Sequence, residues 1–190
     1  MSSFEFTKEY QEKAKILIAK YPQTKEKSAV MGLLDLAQRQ NSGWITVEAM
    51  DYIASIINLA PIRVYEIATF YSMYNLKPVG KFLIQVCTTT PCMLRGAEEI
   101  VKSCEKHLKI KLNETTLDKY FTIKEVECLG ACVNAPIVQI NDDYYEDLSE
   151  ERIVEILDAL KNGREVKIGS QTGRNSSEPQ KENKIKKNGS

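Results

Sequence analysis

Hydrophobic residues recur at helical spacing in the first part of the chain and divide it into four segments. The first covers residues 6–20, and the second follows Thr24, which is the predicted N-cap of that helix. The third begins after Thr46, and the fourth opens with Pro61 in its first turn. Each segment has one apolar face, which is typical of helices that pack on a neighbour. The pattern predicts an N-terminal helical bundle over residues 1–78.

Aromatic residues are frequent where the fourth helix ends. The helix places Val64, Ala68 and Tyr71 on one face, and Phe70 and Tyr74 stand close by. Large aromatic side chains in such a run are more often buried than exposed. We therefore expect Phe70, Tyr71 and Tyr74 to belong to the core of the bundle.

Short apolar runs replace the long helical periods over residues 79–168. Strands are predicted at 81–87 and 120–127, and the run 137–148 reads as a hairpin with a turn at Asn141. One helix lies between the first two strands, and another follows Ser149, its predicted N-cap. The order strand–helix–strand–strand–strand–helix indicates an α/β sandwich. With the helical bundle, the whole chain is predicted to be of mixed α+β or α/β class.

Two pairs of cysteines follow two of these strands. Cys87 and Cys92 lie at the end of the first strand, and Cys128 and Cys132 follow the second. If the two strands are neighbours, their loops bring four sulfurs together at one edge of the sheet. Four thiolates repel one another, so a cation or a cluster must hold them, or they must form disulfides.

The number of residues between the two cysteines of each pair helps to distinguish a zinc site, a redox disulfide and an iron–sulfur cluster. Four residues separate the first two cysteines and three separate the second two. Zinc sites usually have tighter pairs, and a thioredoxin-type redox site has two intervening residues. Wider loops suit a [2Fe–2S] cluster, in which each iron takes one pair. The spacing favours this cluster and leaves a zinc-stapled adaptor and a thiol–disulfide enzyme open.

Two further residues of metal-binding type are excluded from this set. Helical periodicity places Cys104 on the buried face of the helix that follows the first pair, where a lone cysteine acts as a small hydrophobe. His107 is the only histidine and lies near the end of that helix. A Rieske-type site needs two histidines, so neither residue is expected to be a ligand.

Composition and missing motifs narrow the function classes. Lys+Arg and Asp+Glu both number 26, so the formal net charge is +0, and nucleic acid is not an expected partner. No apolar run approaches the ~18 residues of a spanning helix, and no targeting peptide is seen. We expect a cytoplasmic protein without direct membrane insertion. No dinucleotide-binding or P-loop motif is present, so the chain is not expected to bind NADH or FMN itself.

The segment after the last helix is polar. Residues 169–190 have no apolar face, so this tail is expected to lack order on its own. Its last ten residues read as a solvated extension.

Four stretches carry a family resemblance. VCTTTPCMLRGAEEI and VECLGACVNAPIVQIND, with EIATFYSMYNLKPVGK before them and GSQTGRNSSEP after them, cover most of the chain's length. They resemble the NuoE-type subunit of NADH–quinone oxidoreductase, respiratory complex I. That subunit is a thioredoxin-like [2Fe–2S] ferredoxin. The resemblance implies a thioredoxin-like domain with one [2Fe–2S] cluster on Cys87, Cys92, Cys128 and Cys132, and with a cis bond at Pro136.

The same resemblance implies a place in a larger enzyme. A flavoprotein subunit that binds FMN and NADH would exchange electrons with the cluster, and other peripheral-arm subunits would be partners of the helical bundle. The whole complex moves electrons from NADH to quinone and couples this to proton translocation. The chain would then lie on the inner (cell) membrane only as part of that complex, and it would not be catalytic alone. Related subunits of NAD-linked hydrogenases and formate dehydrogenases are the alternative context.

Overall fold

The computed structural model describes residues 4–176. Within them the chain divides after Lys81 into two compact units. The first unit is helical, and the second contains a five-stranded sheet. No helix in residues 4–176 is both long enough and apolar enough to cross a bilayer.

Four helices build the first unit: α1 Lys8–Ile18, α2 Val30–Gln40, α3 Val47–Ile56 and α4 Pro61–Phe70. Two of the predicted starts are confirmed. The Thr46 side chain accepts a hydrogen bond from the Ala49 amide, and Pro61 occupies the first turn of α4. The helices enclose one apolar core, whose largest fully buried side chains are Leu33, Leu34, Ile45 and Ile53.

The predicted N-cap of the second helix is wrong. Thr24 has a left-handed backbone with φ of +73° and stands before a short 3₁₀ helix, Glu26–Ala29, which leads directly into α2. The Thr24 amide donates to the Glu26 carboxylate and the Thr24 side chain caps no helix. The chain therefore makes an extra turn where the sequence pattern suggested a single helix start.

The expectation of a buried aromatic run is also wrong for two of its three residues. Tyr74 is buried, and its hydroxyl donates to the Met31 carbonyl. Phe70 is 79% exposed and Tyr71 is 39% exposed. Phe70 lies two residues beyond the buried Ala68, on the opposite side of α4, because successive helical residues are about 100° apart. The helix ends at Phe70, so extended backbone at Tyr71 takes its ring off the apolar face.

The second unit is built on a mixed sheet with strands β1 Phe82–Cys87, β2 Phe121–Val126, β3 Val138–Ile140, β4 Asp143–Glu146 and β5 Gly169–Ser170. The strand order is β2-β1-β3-β4-β5. β1 and β2 are parallel, while β3 lies antiparallel to β1 and forms the predicted hairpin with β4. Hence β1 and β2, the two strands that precede the cysteine pairs, are direct neighbours.

Two long helices cover the sheet, α6 Ala97–Leu108 and α7 Glu150–Lys161, and a short helix, α5 Thr90–Leu94, precedes α6. Ile100 and Cys104 of α6 and Ile153 of α7 are buried in one core with the sheet residues Ile84 and Phe121. The predicted N-cap Ser149 is confirmed, since its side chain accepts from the Arg152 amide. The helix between β1 and β2 also makes the crossover that parallel strands require.

The polar segment after α7 was expected to lack order on its own, and its first residues depart from that expectation. Gly169 and Ser170 form β5, which pairs in parallel with Tyr145 and Glu146 of β4. The Gln171 amide extends this pairing by donating a hydrogen bond to the Glu146 carbonyl. The predicted solvated extension, residues 181–190, lies outside the described residues.

Candidate functional site

The four cysteines of the two pairs lie at one edge of the sheet. Cys87 is the last residue of β1 and stands opposite Val126, the last residue of β2. Because the strands are parallel, both chains leave the sheet in the same direction. Cys128 follows Val126 by two residues, so the two cysteine loops are adjacent, as the sequence pattern required for a four-sulfur site.

The first pair is buried. Cys87 and Cys92 are 1% and 0% exposed, and they contact Ala97, Ala135 and Ile137 in a small apolar cluster. Cys92 lies in a short helix, α5 Thr90–Leu94, that the sequence analysis missed. Burial, together with the neighbouring Cys87 thiol, raises the pKa of Cys92 to about 12.

Hydrogen bonds lower the pKa of Cys87, in contrast to the raised pKa of Cys92. Its Sγ atom lies 3.3 Å from the Thr89 hydroxyl oxygen. Burial acts to raise the pKa of Cys87, but the Thr89 hydroxyl and the Leu129 and Thr89 backbones lower it below its ordinary value. The loop therefore offers hydrogen-bond donors to sulfur, which is how proteins stabilise thiolates.

The second pair is exposed. The Sγ atoms of Cys128 and Cys132 are 3.5 Å apart, and the Gly130 amide donates to the Cys128 sulfur over 3.4 Å. Gly130 has φ of +82°, a conformation that glycine adopts without strain. The Gly130 amide lowers the pKa of Cys128, whereas the hydrogen bond that the Cys132 thiol shares with the Cys128 sulfur raises the pKa of Cys132.

Electrostatic interactions act between the two cysteine pairs. The Thr89 hydroxyl acts to lower the pKa of Cys128 as well as that of Cys87. Charge on Cys87 acts to raise the pKa of Cys132 and opposes the lowering at Cys128. Charge on Cys132 acts on Cys92 in the same direction. Ionisation of a cysteine in one pair therefore changes the pKa of cysteines in the other pair.

The donor set suits a binuclear group. All four donors are thiols, and they stand as two pairs. In residues 4–176 no group of three or more His, Cys, Asp or Glu side chains is close enough to hold a metal ion as placed, so the fit to a cluster rests on the chemistry of the four donors. A [2Fe–2S] group takes thiolates from four cysteines shared between two irons, so the residues present fit it.

Three residues support the second loop, and the sequence analysis missed all of them. The Tyr144 hydroxyl donates to the Leu129 carbonyl over 2.8 Å. Asn134 is 3% exposed, and Arg174 donates to its side-chain oxygen. Tyr144 and Arg174 lie far from the cysteines in sequence, so local periodicity gives no sign of these contacts. The only available signal was the polar GSQTGRNSSEP stretch, which contains Arg174.

Three expectations about positions near the site are confirmed: the cis bond at Pro136, the burial of Cys104 and the helix-end position of His107. The Ala135–Pro136 bond is cis. Cys104 is fully buried in the core under the sheet, and burial raises its pKa to about 12. His107 stands in the last turn of α6, where its Nε2 atom is 3.0 Å from Asp158 Oδ1 of α7.

The chain is similar to known proteins over most of its length. The sequence model of the thioredoxin-like [2Fe–2S] ferredoxin family matches residues 14–161. An NADH-quinone oxidoreductase subunit of Rickettsia conorii is 57% identical over 162 residues, which is 85% of this chain and 97% of that protein. The mitochondrial NADH dehydrogenase [ubiquinone] flavoprotein 2 of Dictyostelium discoideum is 54% identical over 175 residues, which is 92% of this chain and 71% of that protein.

A solved structure supports the fold. A crystal structure of an NAD⁺-reducing [NiFe]-hydrogenase in the H₂-reduced state has a TM-score of 0.60 and 19% identity, covering 69% of this chain and 22% of that chain. At this identity the likeness concerns the fold. Taken with the sequence match over most of the chain, the two cysteine pairs and the sheet that carries them show that the chain belongs to the thioredoxin-like [2Fe–2S] ferredoxin family.

Proposed function

We propose that this chain is the iron–sulfur electron-transfer subunit of an NADH–quinone oxidoreductase, with one [2Fe–2S] cluster on Cys87, Cys92, Cys128 and Cys132. The observation that carries the proposal is the set of four thiols, in two pairs, at the shared edge of two neighbouring parallel strands. The relatives at 54% and 57% identity support the parent enzyme, since their names place them in NADH dehydrogenases.

The two cysteine pairs differ in their exposure to solvent. Cys87 and Cys92 lie in an apolar cluster that excludes water, whereas Cys128 and Cys132 face solvent. A bound [2Fe–2S] group supplies one-electron transfer at a potential set by charge, hydrogen bonds to sulfur and exposure. The amide of Gly130 and the hydroxyl of Thr89 are positioned to tune that potential. The exposed pair marks the side on which an electron partner approaches.

The electron partner in this proposal is a flavoprotein subunit that binds FMN and NADH. The sequence of this chain has no dinucleotide-binding or P-loop motif. Other peripheral-arm subunits would contact the helical unit, where Phe70 and Met73 are 79% and 50% exposed. Exposed large apolar residues of this kind are typical of protein interfaces. The complex, and not this chain, would place the site beside the membrane.

A reconstitution with the flavoprotein subunit tests the proposal. Purified cluster-loaded chain is mixed anaerobically with NADH, with and without that subunit, and the EPR signal of the reduced cluster is recorded. We expect NADH to produce the signal only when the flavoprotein is present, and dithionite to produce it in both samples. Reduction by dithionite but never through the flavoprotein would contradict the proposed partner. A chain that carries zinc and gives no signal would instead be a structural module.

A further inference from the structure

The residues after α7 fold back onto the second cysteine loop. Gly169 and Ser170 pair with β4, and the Gln171 amide donates to the Glu146 carbonyl over 3.0 Å. The Gln171 side chain accepts a hydrogen bond from Arg152 of α7. These contacts fix the start of the segment 169–174, here called the arm, at the edge of the sheet.

Arg174 connects the arm to the loop. Its Nη2 atom donates to the Val133 carbonyl and, over 2.9 Å, to the Asn134 side-chain oxygen. Its Nε atom is 3.4 Å from Asp147 Oδ1, and the Asp147 side chain is only 7% exposed. Ser170 completes this contact set by donating to Asp147 over 2.6 Å and accepting from the Arg174 amide over 2.9 Å. One guanidinium thus engages a carbonyl, an amide and a largely buried carboxylate.

Asn134 is the point at which these contacts meet. Its side-chain nitrogen donates to Glu146 over 2.6 Å, and its carbonyl accepts from the Asp147 amide over 2.7 Å. Its own amide donates to the Ala131 carbonyl over 3.0 Å. Because Asn134 follows Cys132 by two residues, fixing it also fixes the path of the chain after that cysteine.

Apolar packing does little to hold this part of the loop. The Cys132 side chain is exposed and Val133 is 54% exposed. At Cys132 and Val133 the loop is therefore held by polar contacts, while Ala131 and Ala135 on either side pack in the apolar cluster of the first cysteine pair. Arginine suits the task because its planar fork reaches several acceptors at once, whereas lysine supplies a compact point charge.

We propose that Arg174 is a positioning residue that clasps the loop of Cys132 through Val133, Asn134 and Asp147. Its effect on cluster retention and potential rests on the proposed function, whereas its effect on the loop does not. The arm is then a working part of the site: it keeps Cys132 in place beside Cys128 and so slows loss of the cluster.

Amide hydrogen exchange on the full-length, cluster-free chain tests whether the Arg174 contacts stabilise the loop after Cys132. The variants are Arg174→Gln, Asp147→Asn and, as a matched control that removes the same charge from the same unit, Arg164→Gln. We expect the Asn134 and Ala135 amides to exchange about tenfold faster in the first two variants, as follows from losing a hydrogen bond to a charged group. The Arg164 variant should exchange as the parent chain does. If these amides exchange at the same rate in the parent chain and all three variants, Arg174 does not hold the loop.

The cluster-loaded chain tests the consequence for the site. For Arg174→Gln we expect cluster loss to a chelator to become several-fold faster and the midpoint potential to fall. Arg174→Lys separates position from charge, and we expect its cluster to be lost as fast as that of the Gln variant. Parent-like behaviour of the Lys variant, or an unchanged release rate and potential in the Gln variant, would overturn the positioning role. Absence of iron from the parent chain would refute the proposed function alone, since the exchange experiment still decides the clasp.

Discussion

The Sγ atoms of Cys128 and Cys132 lie 3.5 Å apart across a turn whose middle residue, Gly130, donates its amide to the first sulfur. This separation is far longer than the ~2.05 Å of a disulfide bond, so both cysteines are free thiols. The Gly130 amide, together with the hydrogen bond between the two sulfurs, lowers the pKa of Cys128, and the same sulfur–sulfur hydrogen bond raises that of Cys132. The turn therefore holds Cys128, whose thiol has a lowered pKa, next to Cys132, whose thiol has a raised pKa.

This arrangement predicts the order in which thiols react in the cluster-free chain. At about pH 8, iodoacetamide should modify Cys128 first, because the side chain is exposed and its pKa lies below the ordinary value. Its thiolate therefore forms at lower pH than that of an unperturbed cysteine. Cys92 and Cys104 should react last, since both are buried and burial raises their pKa to about 12. Peptide mass spectrometry measures the order, and early modification of Cys104 would contradict it.

Cys104 and Cys132 should give opposite results when changed to serine. Cys104→Ser places a hydroxyl in the apolar core of the second unit, which we expect to lower the free energy of unfolding by about 1–3 kcal/mol while leaving the cluster spectrum unchanged. Cys132→Ser changes an exposed side chain, so the cluster-free chain should unfold normally while the cluster is lost or its spectrum shifts. Chemical denaturation and visible absorption measure both effects. Loss of iron from the Cys104 variant would refute the ligand assignment.

Gly130→Ala tests the backbone of the exposed turn. An added Cβ meets nothing within 4 Å, so the cost comes from φ of +82° alone. A left-handed backbone costs an alanine about 1–2 kcal/mol, and we expect faster cluster loss because the amide that faces Cys128 shifts. Gly163→Ala is the matched control, with φ of +66° and equally open surroundings after α7. It should lose similar stability and retain its cluster; equal cluster loss in both variants would show that the Gly130 amide has no special role.

Tyr144→Phe removes one support of the same turn. The lost hydrogen bond to the Leu129 carbonyl should cost about 0.5–1.5 kcal/mol, and cluster release to a chelator should become faster. Tyr145→Phe removes the same atom from the next residue, whose ring packs into the core of the second unit. Its release rate should match that of the parent chain. If the two variants release the cluster equally fast, the Tyr144 contact does not hold the turn.

Several helix starts, and the strand before the first cysteine pair, could be predicted from local sequence signals. Thr46, Pro61 and Ser149 mark helix starts by capping chemistry that acts within a single turn. The apolar run before Cys87 indicates a buried strand, and β1 is buried beside β2. These features depend on residues close together in sequence, so a periodic pattern is enough to reveal them.

What the sequence pattern missed depends on short elements or distant contacts. Helix α5 has five residues, which is too few for periodicity to identify. Arg174 lies 40 residues from Asn134, so no local signal predicts that the polar arm returns to the cysteine loop. An aromatic run is usually buried, which suggests a core position for Phe70, but the residue lies on the exposed side of α4, opposite the buried Ala68. In each case tertiary structure decides the outcome.

The most direct test of the cluster assignment is the metal content of the anaerobically purified chain, combined with EPR before and after dithionite. We expect about two irons and two sulfides per chain, as one [2Fe–2S] cluster requires. The protein should give no signal when oxidised and one unpaired spin when reduced. About one zinc per chain with no signal in either state would contradict the assignment and leave the two cysteine pairs as a structural metal site.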